Sequence, residues 1–185
     1  MKNTKKHPDW QALPRALPQS IATWLGYEQS MTQKIKALDP DAFAFTLQDQ
    51  TKAQPNAFEA QALPSNGTII KRNIHMTQNH QRVLFGRTVG HTALFDNEKI
   101  FSTLGGRPIG EHLFNNDNIK RTHLYCTQLD DSHELYHAAT KTCSENPDTL
   151  WARCARYQAW EYSLLIYEIF FPALFTWEVR HAIPA

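Results

Sequence analysis

The amino-acid sequence predicts a single α+β domain, an antiparallel sheet of about six strands with flanking helices. Its 185 residues, of which 42% are hydrophobic and 20% charged, are sufficient for one domain with a substantial core. About six segments have strand patterns, and most of them follow one another directly along the chain. Helical patterns are grouped near the start and in the middle. Elements segregated in this way are typical of the α+β class.

The chain begins with a polar segment and continues with two helices. Residues 1–17 are polar and contain two prolines, which predicts a flexible lead-in to one domain of residues 18–185. Apolar residues at helical spacing predict a helix over Ser20–Glu28. A second helix is predicted from Ser30, a favourable capping residue, to Leu38.

Strand patterns occupy the middle of the chain. Phe43–Leu47 alternates as a strand, and residues 51–67 are rich in turn-forming residues, which predicts a loop. Thr68–Thr77 and Arg82–His91 are predicted to form an antiparallel hairpin. Gly105–Gly110 predicts a turn that opens a short helix.

The last third of the chain adds three predicted strands. Ile119–Leu129 is the first, and Asp130–Ser132 is predicted to cap a helix over His133–Thr142. Leu150–Trp160 and Ser163–Phe171 are the other two strands, on either side of a tight reversal. The residues that follow are interpreted as a tail.

Three charged residues, Arg72, Arg87 and Glu168, occupy positions where the strand pattern predicts core. An ionised side chain that faces a core is costly unless it is paired or meets a charged ligand. Two inward arginines and one inward glutamate therefore predict an enclosed site for a small anion. The alternatives are a structural Arg–Glu pair, or a strand whose inner face meets solvent.

Composition and charge exclude several classes of function. The net charge is +1 and no run of Lys or Arg exceeds two residues, so nucleic acid is not an expected partner. No apolar stretch follows the basic start, and the longest apolar run, Leu164 to Phe175, falls short of a membrane span. Three widely spaced cysteines are typical of a reduced, cytosolic protein. We therefore expect a cytoplasmic protein without stable membrane insertion.

Several short motifs occur in a specific order between about Ile21 and Phe175. Arg72 precedes Gly86-Arg87-Thr88-Val89 by fourteen residues. The full set comprises Ser30-Met31-Thr32, Arg72, Gly86–Val89, Leu104–Phe114 and Tyr167–Pro172. In order and spacing, this set resembles the chorismate–pyruvate lyase family.

The resemblance implies an enzyme that eliminates pyruvate from chorismate to give 4-hydroxybenzoate, the first committed step of ubiquinone biosynthesis. It implies no metal and no organic cofactor. It also implies a monomer that retains its product behind mobile flaps, with a transient hand-off to a membrane prenyltransferase.

Carried over by position, the ligand contacts of the family fall on Met31, Arg72, Ile109 and Glu168. In this hypothesis Arg72 holds the ring carboxylate and Arg87 supports the leaving group. Glu168 contacts the C4 hydroxyl or takes the C4 proton, and the sequence leaves that choice open. Met31 and Ile109 would cover the ring, with plain core packing as the alternative. Arg87 could instead form a salt bridge that orients Glu168.

The chain departs from the family pattern at three places. Ile109 stands where Leu is usual, and Asn73 stands where an acidic residue is common. The connection from about residue 130 to residue 149 is longer than usual.

That longer connection contains a competing motif. His133-Glu134-Leu135-Tyr136-His137 is a literal H-E-x-x-H on a predicted helix, the pattern of a zinc hydrolase with Glu134 as base. No third ligand is evident, because Thr140 and Cys143 stand where the extended motif has Gly and His. A zinc hydrolase and a non-catalytic binder of aromatic acids remain as alternative functions.

Overall fold

The computed structural model describes residues 8–63, 67–114, 116–143 and 146–181. Within these residues, six strands form one antiparallel sheet: β1 (Phe43–Ala53), β2 (Ile69–Gln78), β3 (Gln81–His91), β4 (Ile119–Leu129), β5 (Leu150–Ala159) and β6 (Tyr162–Phe170). The strand order across the sheet is β1-β2-β3-β6-β5-β4. The predicted α+β fold with about six antiparallel strands is confirmed.

Helices flank the sheet on both sides. They are α1 (Gln19–Leu25), α2 (Met31–Leu38), α3 (Ala57–Ala62), α4 (Thr92–Asn97), α5 (Lys99–Ser102), α6 (Gly110–Leu113), α7 (Glu134–Thr140) and α8 (Pro172–His181). No helix among the described residues has the length and apolar character needed to span a bilayer.

The two faces of the sheet carry different cores. The front face is the side of Ile74, Gly86 and Glu168, where α1 and α2 pack at one end and α4 to α6 at the other. The rear face is the side of Phe85 and Tyr167, which pack with α3 and α7. Because both faces are covered, the central strands are buried on both sides, as expected for strands in the middle of a layered domain.

The predicted hairpin of β2 and β3 is confirmed, with Gln78 paired to Gln81. Its two turn residues, Asn79 and His80, have φ angles of 46° and 63°. Positive φ at both central residues matches the turn that joins right-handed twisted strands most readily.

The predicted loop over residues 51–67 is wrong for much of its length. Strand β1 continues to Ala53, and α3 follows it. A reciprocal capping box starts α3: Asn56 Oδ1 accepts from the Glu59 amide, and Glu59 Oε2 accepts from the Asn56 amide, both at 2.9 Å. Pro64 to Asn66 lie outside the described residues.

Two described segments near the ends of the chain form structure that the sequence does not predict. The interpreted tail forms α8, which begins at Pro172 and buries Leu174. In the predicted lead-in, Gln11 pairs with Cys126 of β4, and the Trp10 ring lies 5.6 Å from that of Tyr167. Residues 1–7 lie outside the described part of the chain.

In the enlarged connection, helix α7 is shorter than predicted, and residues 144 and 145 are not described.

Candidate active site

A cavity lies on the front face, between the sheet and a roof made by α2, α6 and the loop of residues 104–109. It contains about 530 Å³ of empty space, part of which is open to solvent. Apolar side chains dominate the lining, among them Met31, Phe45, Ile74, Ile109, Leu113 and Ile166. A few polar groups converge on this apolar space, which is the usual composition of a binding site for a small organic molecule.

Arg72 extends from β2 into this cavity and is only 1% exposed. Its Nη2 donates to the carbonyl oxygens of Gly105 and Arg107, at 3.1 and 2.8 Å. Gly105 has a φ of 52°, a left-handed conformation that glycine adopts without strain. Arg72 therefore holds the roof loop against the sheet.

The Arg72 guanidinium retains capacity for a ligand. Its Nε is buried and has no hydrogen-bond partner. In the part of the chain that the structure describes, no carboxylate lies within salt-bridge distance of it. Burial lowers the pKa of Arg72 to about 10, so the side chain remains cationic at neutral pH. A buried cation with an unused donor is suited to bind a carboxylate.

Glu168 extends from β6 into the same cavity, and its side chain is 13% exposed. Its Oε2 forms an ion pair with Nε of Arg153, the residue directly opposite it in β5. Arg153 Nη1 also donates to the carbonyls of Trp24, Leu25 and Tyr27, at 3.3, 3.2 and 2.5 Å. These oxygens lie at the C-terminal end of α1 and just beyond it, where a cation is favoured.

Gly86 forms the floor between the two charged groups. It lies opposite Ile74 in the β2–β3 ladder and opposite Glu168 in the β3–β6 ladder. A Cβ atom at Gly86 would come within 2.9 Å of Ile74 Cδ1. The absence of a side chain therefore keeps the centre of the cavity open.

Tyr157 of β5 completes the polar lining near Glu168. Burial, and to a smaller degree the charge of Glu168, raises the pKa of Tyr157 to about 12. The phenol therefore stays protonated at neutral pH and can donate a hydrogen bond to a ligand.

The sequence predicted five site residues, and the side chains of four of them line this cavity. Arg72 and Glu168 lie on the front face of the sheet, and Met31 and Ile109 lie in the roof. Met31 is the first residue of α2, which Ser30 caps by accepting a hydrogen bond from the Gln33 amide. Ile109 immediately precedes α6 in the roof. Both contribute to the apolar part of the lining, whereas Arg72 and Glu168 contribute charged groups.

The family model described as chorismate lyase matches residues 8–180. The chain belongs to the chorismate lyase family. The resemblance predicted from the sequence motifs is confirmed, and the chain is accordingly an enzyme of that family.

Two curated relatives illustrate the similarity. Each is named "Probable chorismate pyruvate-lyase". The protein from Nitrosomonas eutropha is 28% identical over 168 residues, which cover 89% of this chain and 94% of the relative. The protein from Thiobacillus denitrificans is 27% identical, and the match covers 89% and 90% of the two chains.

Solved structures with the same fold have little sequence in common with this chorismate lyase family member. A GntR-family transcriptional regulator from Bacillus cereus is 9% identical with a TM-score of 0.53, covering 71% of this chain and 93% of that one. The effector domain of PhnF from Mycobacterium smegmatis is 13% identical with a TM-score of 0.51, covering 76% and 88%. At these identities the likeness concerns the fold alone.

Arg87, the fifth predicted residue, requires a correction to the carried-over roles. It borders the cavity through its position between Gly86 and Thr88, but its guanidinium lies on the rear face. There Nε donates to Asn73 Oδ1 at 2.8 Å, and Nη1 pairs with Glu134 Oε1 at 3.0 Å. It therefore neither reaches a leaving group in the cavity nor orients Glu168, and the role of ion-pair partner to Glu168 belongs to Arg153.

The H-E-x-x-H motif does not form the geometry of a zinc site. His133 precedes α7 with an extended backbone, and its Nδ1 lies 3.0 Å from Asp130 Oδ1. Glu134, the base of the zinc hypothesis, pairs with Arg87. Among the described residues, no three His, Cys, Asp or Glu side chains are grouped closely enough to hold a metal ion. The motif serves to join α7 to the rear face of the sheet.

Sequence reasoning missed Arg153 as a cavity residue. The signal was present, because alternation along β5 places Arg153 on the same side as Trp151, Ala155 and Tyr157. Arg153 is 4% exposed, so it is the same kind of inward charge as Arg72.

Proposed function

We propose that this protein eliminates pyruvate from chorismate to give 4-hydroxybenzoate. One observation carries the proposal: a chain of the chorismate lyase family presents the buried Arg72 cation and the Glu168 carboxylate to one apolar cavity. Neither group pairs with the other among the described residues, because Glu168 pairs with Arg153.

Chorismate is a dianion with one carboxylate on the ring and another on the enolpyruvyl ether. Arg72 binds the ring carboxylate through its planar guanidinium, since Nε is buried without a partner while Nη2 stays on the roof loop. The Nε–H group donates one charge-assisted hydrogen bond to a carboxylate oxygen, and this contact together with the apolar walls of the cavity sets the orientation of the ring.

The reaction requires little from the protein beyond orientation and a proton acceptor. The bond between C3 and the ether oxygen breaks, and its electrons leave with enolpyruvate, which takes up a proton to become pyruvate. C4 loses its proton, and the ring becomes aromatic, so the driving force is largely in the substrate. Such an elimination proceeds without a metal or an organic cofactor, and catalysis consists of holding one conformer and stabilising the charge that develops.

Glu168 acts at C4 in this proposal. Its Oε2 is held by Arg153, and we assign Oε1 to the substrate. There it takes the C4 proton or accepts a hydrogen bond from the C4 hydroxyl, and the Glu168→Gln variant described below distinguishes the two roles.

The apolar roof excludes water and covers the ring. Met31 is 3% exposed, Ile109 immediately precedes α6, and both line the cavity. Arg72 ties the roof loop to the sheet through Gly105 and Arg107. The burial of Arg72 beneath this roof supports retention of 4-hydroxybenzoate as part of the proposal.

The finer biological role follows from the same proposal. We assign the reaction to the start of ubiquinone biosynthesis in the cytoplasm, carried out by a monomer. Retained 4-hydroxybenzoate would pass by transient hand-off to a membrane prenyltransferase.

One experiment tests the activity. EDTA-treated protein is incubated with chorismate, and pyruvate and 4-hydroxybenzoate are measured together, with chromatography to identify the hydroxybenzoate isomer. The proposal predicts equal amounts of both products, undiminished by the chelator. Binding of 4-hydroxybenzoate without turnover would instead indicate a carrier. Loss of activity on chelation, or no interaction with either compound, would overturn the proposal.

A further inference from the structure

We propose that Arg153 is the positioning residue for Glu168: it fixes one oxygen of the carboxylate and ties that carboxylate to the end of helix α1. The inference rests on the proposed function, in which Glu168 acts on the substrate.

Two nitrogen atoms of the Arg153 guanidinium are held by different parts of the protein, Nε by Glu168 and Nη1 by the end of α1. Arg153 and Glu168 are directly opposite in the β5–β6 ladder, and Nε contacts Glu168 Oε2. Nη1 donates to three carbonyl oxygens at the C-terminal end of α1 and just beyond it. The guanidinium also lies 5.9 Å from the centre of the Phe170 ring. With these contacts, the arginine has little freedom to follow a ligand.

Arg153 differs from Arg72 in what its donors do. Arg72 has a buried Nε without a partner, which is free to meet an anion. Arg153 Nε already contacts a carboxylate, so its charge is balanced inside the protein. The two arginines of the cavity therefore have separate tasks: Arg72 binds the ligand, and Arg153 orients the acidic group that acts on it.

The contact to α1 extends this orientation to the cavity wall. The Tyr27 carbonyl accepts a hydrogen bond from Arg153. Gln29 and Met31, which follow Tyr27 by two and four residues, line the cavity. One side chain thus sets the position of Glu168 relative to the wall that covers the ring. A small displacement of a catalytic group is enough to lower the rate strongly.

This role predicts a separation of binding from turnover. Benzoate has the ring carboxylate that Arg72 binds but lacks the C4 hydroxyl, so it does not depend on the position of Glu168. In Arg153→Met we expect kcat for chorismate to fall about 100-fold, as for a misplaced catalytic group. The Kd of benzoate should change less than about threefold, because the contact between Arg72 and the ring carboxylate is retained. A collapse of the cavity would weaken benzoate binding as well.

A double-mutant cycle tests whether Arg153 acts through Glu168. Wild-type protein, Arg153→Met, Glu168→Gln and the double variant are compared by kcat with chorismate, and circular dichroism confirms that each is folded. If Arg153 positions Glu168, adding Arg153→Met to Glu168→Gln should cost less than about threefold. Equal losses in both backgrounds would overturn the inference.

Two further variants complete the test. Arg156→Met is the matched control: Arg156 lies on the same strand but faces the rear, where Nη2 contacts Ser163 Oγ at 3.5 Å, so kcat should be unchanged. If Arg153→Met does not fold, Arg153→Lys enters the same cycle and is judged by the same criterion. Wild-type protein that releases no pyruvate would overturn the proposed function, whereas turnover with additive losses overturns the role of Arg153 alone.

Discussion

Arg72 and Glu168 face the same cavity from opposite sides of strand β3. Arg72 lies opposite Thr88 in one ladder, and Glu168 lies opposite Gly86 in the other. Their strands lie two strand spacings apart, about 9.5 Å across the sheet, and the two residues are also offset by two positions along β3. Because Gly86 places no side chain between them, a cation and a carboxylate stand at the two ends of an open, apolar space. This arrangement suits a small aromatic acid that carries a polar group opposite its carboxylate.

Replacing Arg72 should weaken ligand binding strongly. Arg72→Met removes the charged donors of the ring carboxylate, so we expect 4-hydroxybenzoate to bind about 1.5–3 kcal/mol more weakly, or roughly 10- to 150-fold. Arg72→Lys should recover only part of the affinity, because lysine has no Nε–H group fixed at the buried position that meets the carboxylate. Calorimetric titration measures both, and the melting temperature shows whether loss of the contacts to Gly105 and Arg107 has loosened the fold.

Arg87→Met is the matched comparison for the Arg72 variants. Arg87 is equally an inward arginine, but its guanidinium contacts Asn73 and Glu134 on the rear face. We expect a loss of stability of about 1–3 kcal/mol and an affinity for 4-hydroxybenzoate within about threefold of wild type. If Arg87→Met weakened the binding of 4-hydroxybenzoate as much as Arg72→Met does, the placement of the two guanidiniums on opposite faces of the sheet would be contradicted.

Glu168→Gln separates the two roles open to this carboxylate. The amide keeps the shape of the side chain but cannot accept a proton, so a base role predicts a fall in kcat of about 100- to 10,000-fold with little change in KM. Steady-state release of pyruvate gives both constants. Near-normal kcat with a raised KM would exclude proton abstraction and leave Glu168 as a hydrogen-bond partner of the C4 hydroxyl.

Gly86→Ala should narrow the cavity without unfolding the protein. The new methyl group would approach Ile74 Cδ1, the flexible end of that side chain, which can swing away into the space that a ligand needs. We expect binding of 4-hydroxybenzoate to weaken about tenfold, within the usual cost of overpacking. The double variant Gly86→Ala/Ile74→Ala removes both Cδ1 and Cγ1, which lie 2.9 and 3.0 Å from the added atom, and should restore most of the affinity. Failure of this rescue would show that the contact with Ile74 is not what limits the space.

Ligand binding should depend on pH through Arg72. Burial lowers the pKa of Arg72 to about 10, so the cation that binds a carboxylate is present at neutral pH and is lost as the pH rises through that value. Benzoate is a suitable probe because it has no group that titrates there. Its Kd should be constant near neutrality and rise by about tenfold per pH unit above the pKa. Arg72→Met should bind weakly with no such dependence, provided that circular dichroism shows folded protein.

Alternation along the strands identified Arg72, Arg87 and Glu168 as inward residues, but it did not assign them to a face. Strand β3 is buried at nearly every position, since helices cover both sides of the sheet. Each of its two alternating sets therefore has the pattern of a core. The strand pairing decides the face, and it places Arg87 beside Asn73 on the rear side. A single sequence does not contain that register.

Arg153 was missed for a related reason. Its strand also carries Arg156 and Gln158, so one more polar residue does not stand out against an apolar background as Glu168 does in β6. Arg153 becomes significant when β5 and β6 are paired and Glu168 is found directly opposite. The two strands are consecutive and joined by a tight reversal, so their exact register, which the sequence pattern left open, decides the partner.

The missed helices had local signals at their starts. Asn56 and Glu59 have the spacing of a capping box, and Pro172 stands at the first position of α8, where its missing amide hydrogen costs nothing. Helix α3 is too short to develop an apolar periodicity, and packing on the rear core stabilises it instead. The long strands and the β2–β3 hairpin, by contrast, were predictable because their patterns extend over many residues.

The most direct measurement is a crystal structure of the protein with 4-hydroxybenzoate bound. We predict the carboxylate within hydrogen-bond distance of Arg72 Nε and the hydroxyl beside Glu168, with Met31 and Ile109 against the ring. A ring bound outside the front-face cavity, or a carboxylate held by Arg87, would contradict the assignment of Arg72 and Glu168 to one ligand.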